Sequence, residues 1–438
     1  MDFSLFAALS GGPKRAPELQ QKLKVSQPTL SRLASRARAA GRLAVLGRGR
    51  ATRYALLRSI RGLPPELPIH RISHLGRVQR VGTLFTLEPH RLWFENSAGG
   101  GGTEFDALPW FLADLRPRGF VGTLLARDWP ELGLPLHPED WSTDQILFAM
   151  ARRGEDAVGD LLVGDESLAR WQSNSAGPAI APVNRLLRYS ERVAELLAGR
   201  AGSAWVGGEQ PKFTAVVASG PDAQQPVIVK FSGSRAGIAG RRWANLLLAE
   251  HLATEVLREH GHLAAVTTFL QNERRSYLEI QRFDRNGLRG RLGMVSLQAL
   301  DEAFAGEGRG WADSVAALLR AGRISSEDAR ELRWRAAFSA LIGNTDMHQG
   351  NVALLSSERG GLRLGPAFDM LPMIYAPLGE ELPTREFVRP LPAPACVDQW
   401  AAALPVAISF WQRLAEDARA SLDMRNIARD NAALLRHV

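Results

Sequence analysis

The chain holds one cysteine in 438 residues, Cys396. A single thiol excludes an internal disulfide and any cysteine-based metal centre. Long apolar runs are missing too: none reaches the roughly 18 residues that a membrane span needs, and no secretory leader pattern heads the sequence. We therefore expect a cytoplasmic protein with no membrane partner. Lysine is scarce. Of 54 basic residues only Lys14, Lys22, Lys24, Lys212 and Lys230 are lysine. In so arginine-rich a chain, a lysine far from the others stands out for what arginine cannot supply, a compact point charge suited to phosphates.

What is present is otherwise ordinary. Apolar content of 45% and charged content of 23% fit a soluble globular protein of two to four domains. The net charge of +8 is unevenly placed. Residues 1–60 carry 12 Lys and Arg against Asp2 and Glu18, so the rest of the chain is slightly acidic. Basicity confined to one short segment points to a polyanion partner for that segment.

Within that segment, 2–10 and 16–23 read as helices. Ser26 is placed to cap a third that runs to about Ala40, with Pro28 in its first turn. Leu30, Leu33, Ala34 and Ala37 form its apolar stripe and leave Gln27, Thr29, Ser31, Arg32 and Arg36 outward. Two β-type runs, 43–46 and 52–56, flank a basic tip with Arg48 and Arg50, and Arg53 follows. The pattern resembles a winged helix-turn-helix, whose second helix enters a major groove, so double-stranded DNA is the expected partner of residues 1–60. The alternative is a small basic domain that contacts protein.

Residues 63–68 (LPPELP) read as a linker by composition. From 69 to 175 short β runs (82–87, 91–95) and helices (108–115, 142–153) predict an α+β lobe without a chemical motif. A helix is expected over 184–198, followed by GSAWVGGEQPK at 202–212. Its glycines suit either a β-turn or a loop that wraps phosphates with backbone N–H groups. The run PVIVK then ends a strand at Lys230. A helix over 240–260 buries Trp243, Leu246, Leu247, Ala253, Val256 and Leu257, and Glu250 falls within that stripe. A carboxylate on an apolar face needs a partner, and Lys230 is the natural one. His251, Glu255 and Glu259 lie off the stripe, on the solvated side. Helices are expected over 297–320 and 326–343.

The stretch LIGNTDMHQGNVALLSSERGGLRLGPAFDM, 341–370, carries the densest chemistry. A helix ends at Gly343, a polar loop holds Asp346 and Asn351, and two β-type runs joined by a turn form a hairpin that leads to Asp369. Phosphoryl transfer needs a carboxylate to orient or deprotonate the accepting hydroxyl, and oxygen ligands that hold Mg²⁺ on the nucleotide. Asp, then Asn five residues on, then Asp beyond a hairpin is the kinase order. Taken alone, the loop also suits polar residues that merely cap turns. Past Asp369 the chain is proline-rich over 372–394 and helical again from 397.

Taken together, Gly207-Gly208-Glu209-Gln210-Pro211-Lys212, Lys230, Gln281-Arg282-Phe283-Asp284-Arg285, Thr345 to Asn351 and Phe368-Asp369 resemble the HipA-like serine/threonine kinases, the toxins of toxin–antitoxin modules. The basic winged helix in front is similar to the longer, stand-alone YjjJ-type members. The resemblance implies an α+β, multidomain chain: a winged helix-turn-helix (1–60), an N-terminal α+β lobe (69–175) and a bilobal protein-kinase-like catalytic region (184–438). It also implies ATP and Mg²⁺ as cofactors, with Asp346 catalytic and Asn351 and Asp369 on the metal. Gly207, Gly208, Glu209, Gln210 and Lys212 would form the phosphate loop and Lys230 would be the ATP lysine, partnered by Glu250. Gln281, Arg282 and Phe283 would line the adenine pocket, with His348 and Phe368 near the nucleotide. Family members silence themselves by phosphorylating a serine before the phosphate loop. Here Trp205 stands at the nearest position and the closest hydroxyl is Ser203, so that route is not carried over. A protein substrate is implied, and an antitoxin protein is a further partner. Two other readings stay open on the sequence: a small-molecule phosphotransferase on the same scaffold, and a transcriptional regulator that only senses nucleotide.

Overall fold

A computed structural model of the whole chain describes residues 2–47, 49–99, 101–173, 179–198, 210–220, 223–308, 310–357 and 360–436. The chain divides into two compact units, Met1–Ser175 and Ala176–Val438.

The first unit opens with helices Asp2–Leu9, Ala16–Leu23 and Gln27–Ala39, followed by the hairpin Leu43–Leu46 and Arg53–Leu56. Lys14–Arg15 joins the hairpin as a third antiparallel strand. Leu5, Leu9, Leu19, Leu30, Leu33 and Ala37 bury their side chains in one small core, as the spacing predicts. Ser26 occupies the N-cap position of the third helix without making a side-chain cap bond. Its hydroxyl instead meets that of Thr29 at 3.1 Å.

A five-stranded antiparallel sheet follows, in the order Gly102–Phe105, Arg91–Asn96, Val78–Leu87, Glu66–Ile72, Leu161–Val163. Residues 63–68 are not the linker that their prolines suggest. Glu66–Ile72 is a sheet strand, Leu63 and Leu67 are buried, and the Pro68 carbonyl accepts from Gly164 N–H at 2.8 Å. Proline gives up only a donor; its acceptor and its apolar ring still serve a strand end. Ala44, Leu46 and Ala55 of the small hairpin pack on Leu87 and Trp93 of this sheet, and Arg58 forks onto Asp144. Helix Thr143–Arg153 starts with a full capping box, Ser142 to Gln145. The expected helix over 108–115 is a 3₁₀ segment, Trp110–Leu115.

The second unit begins with helix Arg185–Ala198 and a four-stranded antiparallel sheet, Thr267–Gln271, Ser276–Gln281, Gln224–Phe231, Lys212–Ala218 in spatial order. Helix Ile238–Glu259 is buried nearly all round, because both the sheet and helix Val397–Glu416 pack against it. Trp243 is only half-buried, whereas Arg242, Asn245 and His251 are buried. His251 is not solvated: its Nδ1 meets Thr267 Oγ1 at 2.8 Å. The single helix expected over 297–320 is two, Leu297–Phe304 and Val315–Arg320, parted by the glycine-rich 306–310. Helix Ser326–Leu341 is capped by Ser325 and ends before Gly343, whose φ of 71° reverses the chain. Strands Met294–Ser296, Ala353–Ser356 and Leu362–Leu364 form a small sheet beyond it. Among the described residues, no helix is long and apolar enough to cross a membrane.

Candidate active site

Two adjacent strands set the cations. Lys230 lies opposite Lys212 in the antiparallel register of Gln224–Phe231 and Lys212–Ala218. The two lysines that the sequence isolates are therefore cross-strand neighbours, a pairing that is unfavourable unless anions offset it. Those anions come from elsewhere in the chain. Lys230 Nζ donates to Glu250 Oε1 and Oε2 at 2.7 and 2.8 Å and also to Asp369 Oδ1. Glu250 is fully buried, on the sheet-facing side of its helix. Asp369 sits beyond the hairpin at φ 54°, a left-handed conformation that Asp tolerates better than most residues. Its backbone N–H donates to Glu250 Oε1 at 3.3 Å.

One ammonium thus serves two carboxylates in a buried place. Burial alone would depress the Lys230 pKa, but Asp369 and then Glu250 outweigh it and hold it above the ordinary lysine value. Burial pushes the Glu250 carboxyl up to about 7, helped by the neighbouring Asp369 charge and opposed by Lys230. Asp369 is held below the ordinary carboxylate value: burial works against this, and Lys230, followed by Lys212, overcomes it. Two carboxylates thus share the Lys230 ammonium, with Lys212 on the neighbouring strand as a second cation.

The loop 344–351 brings the remaining oxygens. Asn351 Nδ2 donates to the Asp346 carbonyl at 3.1 Å, which leaves the amide oxygen to serve as a ligand. The Asp346 side chain belongs to an exposed residue. Asn344 ties this loop to the buried cluster: its Oδ1 accepts from Asp346 N–H at 3.0 Å and its Nδ2 donates to the Asp369 carbonyl at 3.2 Å. Sequence reasoning passes over Asn344. The signal that could find it is an Asn directly after a helix-ending glycine and two residues before an Asp, the setting of an Asx turn. A second support is Trp311, whose Nε1 donates to the His348 carbonyl at 2.9 Å, and Gln349, which donates to Ser314 Oγ at 2.7 Å. His348 itself is exposed.

The other expected nucleotide contacts are placed unevenly. Phe283 and Phe368 stand with ring centroids 5.7 Å apart. The Arg282 guanidinium is buried against Asp284 at 3.0 and 3.1 Å. Backbone N–H groups of Gln281 and Arg282 are already given to Val266 and Pro226 carbonyls. Gln210 Nε2 is buried without a hydrogen-bond partner. Gly207, Gly208 and Glu209, together with Ser203 and Trp205, lie outside the described residues. Among those described, no three His, Cys, Asp or Glu side chains are grouped to hold a metal by themselves. One carboxylate and one amide oxygen are nonetheless the kind of set that magnesium uses when substrate phosphates complete its shell.

In the N-terminal segment, Gln27, Ser31, Arg32 and Arg36 are exposed along one side of helix Gln27–Ala39, and Thr29 is half-buried. Arg53 is not free for a groove: it pairs with Glu104 of the five-stranded sheet at 3.2 Å. Arg48 and the Arg50 side chain lie outside the described residues.

With the geometry in place, comparison with known proteins adds the family. Residues 63–172 match the YjjJ-like toxin middle domain, and 204–432 the HipA-like C-terminal domain. Toxin YjjJ of Escherichia coli (strain K12) is 35% identical over 435 residues, 98% of this chain and 96% of that protein. The chain belongs to the HipA-like toxin family. A solved HipA from Shewanella oneidensis MR-1, described in complex with HipB and its operator DNA, overlays this HipA-like chain with a TM-score of 0.53 at 15% identity. The overlay covers 84% of this chain and 95% of that one. At that identity the likeness speaks for the fold alone, a HipA-type arrangement.

Proposed function

We propose that the chain is an ATP- and Mg²⁺-dependent serine/threonine protein kinase of the HipA toxin type. The observation that carries this reading is the buried Lys230–Glu250–Asp369 cluster, tied through Asn344 to the loop that presents Asp346 and Asn351. Its donor set suits a metal nucleotide: two oxygen ligands for the ion and an ammonium for phosphates. Magnesium, when bound, screens the phosphate charge and orients the transferring group. Asn351 and Asp369 would hold it. Lys230, kept charged and kept in place by Glu250, would meet the α- and β-phosphates, with Lys212 adding a second cation beside them. Phe283 and Phe368 offer aromatic surface for the base.

Asp346 would accept a hydrogen bond from the substrate hydroxyl and take its proton as the oxygen–phosphorus bond forms and ADP departs. Asn344 fixes the backbone that aims this carboxylate, so positioning supplies much of the rate. Exposure of Asp346 favours an acceptor that arrives from solvent on a protein surface. Asp346→Asn tests the reading: transfer from radiolabelled ATP to protein should vanish while the melting temperature holds. Undiminished transfer would remove Asp346 from the role.

For the N-terminal segment we propose a winged helix-turn-helix that binds duplex DNA through Gln27, Thr29, Ser31, Arg32 and Arg36. The reading is supported by the exposed polar side of helix Gln27–Ala39 and by the charge confined to residues 1–60. Operator binding would let the toxin regulate its own synthesis, with or without a separate antitoxin.

A further inference from the structure

Asp301 is a carboxylate only 1% exposed, on helix Leu297–Phe304, with no part in the transfer described above. Three donors converge on it. Glu307 and Gly308 N–H reach its oxygens at 3.3 and 2.8 Å, and the Ser314 hydroxyl donates to Oδ1. Gly306 and Gly308 stand at φ 71° and 62°. Glycine takes that left-handed backbone without strain, so the chain after the helix can curl back and present those N–H groups. A buried polar network satisfied in this way holds its members rigidly.

The segment that Asp301 fastens grips the catalytic loop at two points. A hydroxyl has one proton to give. Ser314 gives it to Asp301, so toward Gln349 it can only accept, and Gln349 Nε2 donates to it at 2.7 Å. Asp301 thereby fixes which way the Gln349 amide points. Trp311, fully buried, donates from Nε1 to the His348 carbonyl at 2.9 Å. The same carbonyl accepts the Asn351 N–H at 3.0 Å, so Trp311 holds the group that holds Asn351. From the start of the Asp301 helix, Leu297 N–H donates to the Val352 carbonyl at 2.8 Å. All of these contacts fall on 348–352, the stretch that carries Asn351. Asn344, in contrast, binds the backbones of Asp346 and Asp369.

We propose that Asp301 and Trp311 are positioning residues for the metal ion: they hold the turn Gln349–Asn351 so that the Asn351 amide oxygen is aimed at the magnesium of the nucleotide. The proposal rests on the kinase reading above. It gives the three oxygen-bearing residues of the site separate supports, Asn344 for Asp346 and Asp369, and Asp301 with Trp311 for Asn351. Partners behind a metal ligand set its orientation and so its affinity for the ion. A merely structural role for 301–314 would lower stability without singling out the metal.

The test uses the full chain, a non-hydrolysable ATP analogue and Mn²⁺ in place of Mg²⁺, with free Mn²⁺ read by electron paramagnetic resonance. Trp311→Phe keeps a buried ring and removes the donor. Asp301→Asn keeps the shape and turns one acceptor into a donor. Each should weaken Mn²⁺ binding to the nucleotide-loaded protein about tenfold, while affinity for the analogue in metal-free buffer stays within about twofold of wild type. Wild-type Mn²⁺ affinity in Trp311→Phe, whatever its melting temperature, would overturn the proposal and leave the kinase reading standing. Equal weakening of metal and metal-free analogue binding would overturn it too, as general damage. Should Asp301→Asn fail to fold, Trp311→Phe decides alone. Failure of the nucleotide-loaded wild type to bind Mn²⁺ would remove the kinase reading and the proposal together.

Discussion

Helix Gln27–Ala39 and the Lys230 cluster handle positive charge in opposite ways. Helix Gln27–Ala39 leaves Arg32 and Arg36 in water, where each acts at long range, is screened by salt and costs little to keep. The second unit buries the Lys230 ammonium among carboxylates. There the cost of desolvation must be met by partners fixed to within tenths of an ångström. The first arrangement suits a polyanion met along a face; the second suits one phosphate group met at one point. At this one site the choice of lysine is explained, since a compact ammonium fits among three oxygens that a planar fork would crowd.

The largest expected effect breaks the buried side of this contrast at its chemistry. Asp346→Asn should cut phosphoryl transfer by about 10²–10⁴-fold without moving the denaturant midpoint, because that side chain is exposed. Next, Lys230→Ala leaves Glu250 and Asp369 without their shared cation and should destabilise the fold by about 3–5 kcal/mol. Calorimetry should also show MgATP raising the melting temperature of the wild type and not of this variant. If the midpoint stays within about 0.5 kcal/mol of wild type, the cluster is not the electrostatic centre assigned to it.

Asn344→Ala should come third, costing about 1–3 kcal/mol for the buried groups it leaves unpaired and lowering transfer more than nucleotide affinity. Unequal sensitivity of kcat and KM would separate this positioning role from general damage. Fourth is a pH effect. Glu250 has its folded pKa raised from 4.5 to about 7. It binds its proton more tightly when folded, so its contribution to stability is full below pH 4.5 and is lost as pH rises through about 7. Relative to Glu250→Gln, the wild type should therefore lose melting temperature over that interval; a constant difference would contradict the shift.

Sequence alone makes much of this site legible. Lys230 and Glu250 can be paired because a carboxylate on an apolar helix face requires a counter-ion, and Asp346, Asn351 and Asp369 can be ordered around a hairpin by turn chemistry. Elsewhere packing overrides the local signals. Pro64, Pro65 and Pro68 read as linker, yet Pro68 lies within a sheet strand, and the Pro65 and Pro68 carbonyls still accept from Thr86 and Gly164 because only donors are lost. His251 looks solvated because helix periodicity registers one buried face, whereas Ile238–Glu259 is packed on several. Arg282 reads as a pocket lining through its motif, while Asp284 two residues on holds it. Asn344 stays hidden because its role is to join two loops 25 residues apart, a relation that no local pattern displays.

The smallest effect lies on the exposed side. Arg32→Ala and Arg36→Ala should each weaken duplex binding and reduce the slope of log K against log salt by about 0.9 for each phosphate left without its arginine. Anisotropy titrations at several salt concentrations measure this, and unchanged slopes would take helix Gln27–Ala39 off the DNA.

The most direct measurement is a crystal structure of the chain with Mg²⁺ and a non-hydrolysable ATP analogue. The account predicts the ion between Asn351 and Asp369, the α- and β-phosphates on Lys230, and Glu250 still on that lysine. An ion held elsewhere, or phosphates that leave Lys230 untouched, would contradict it.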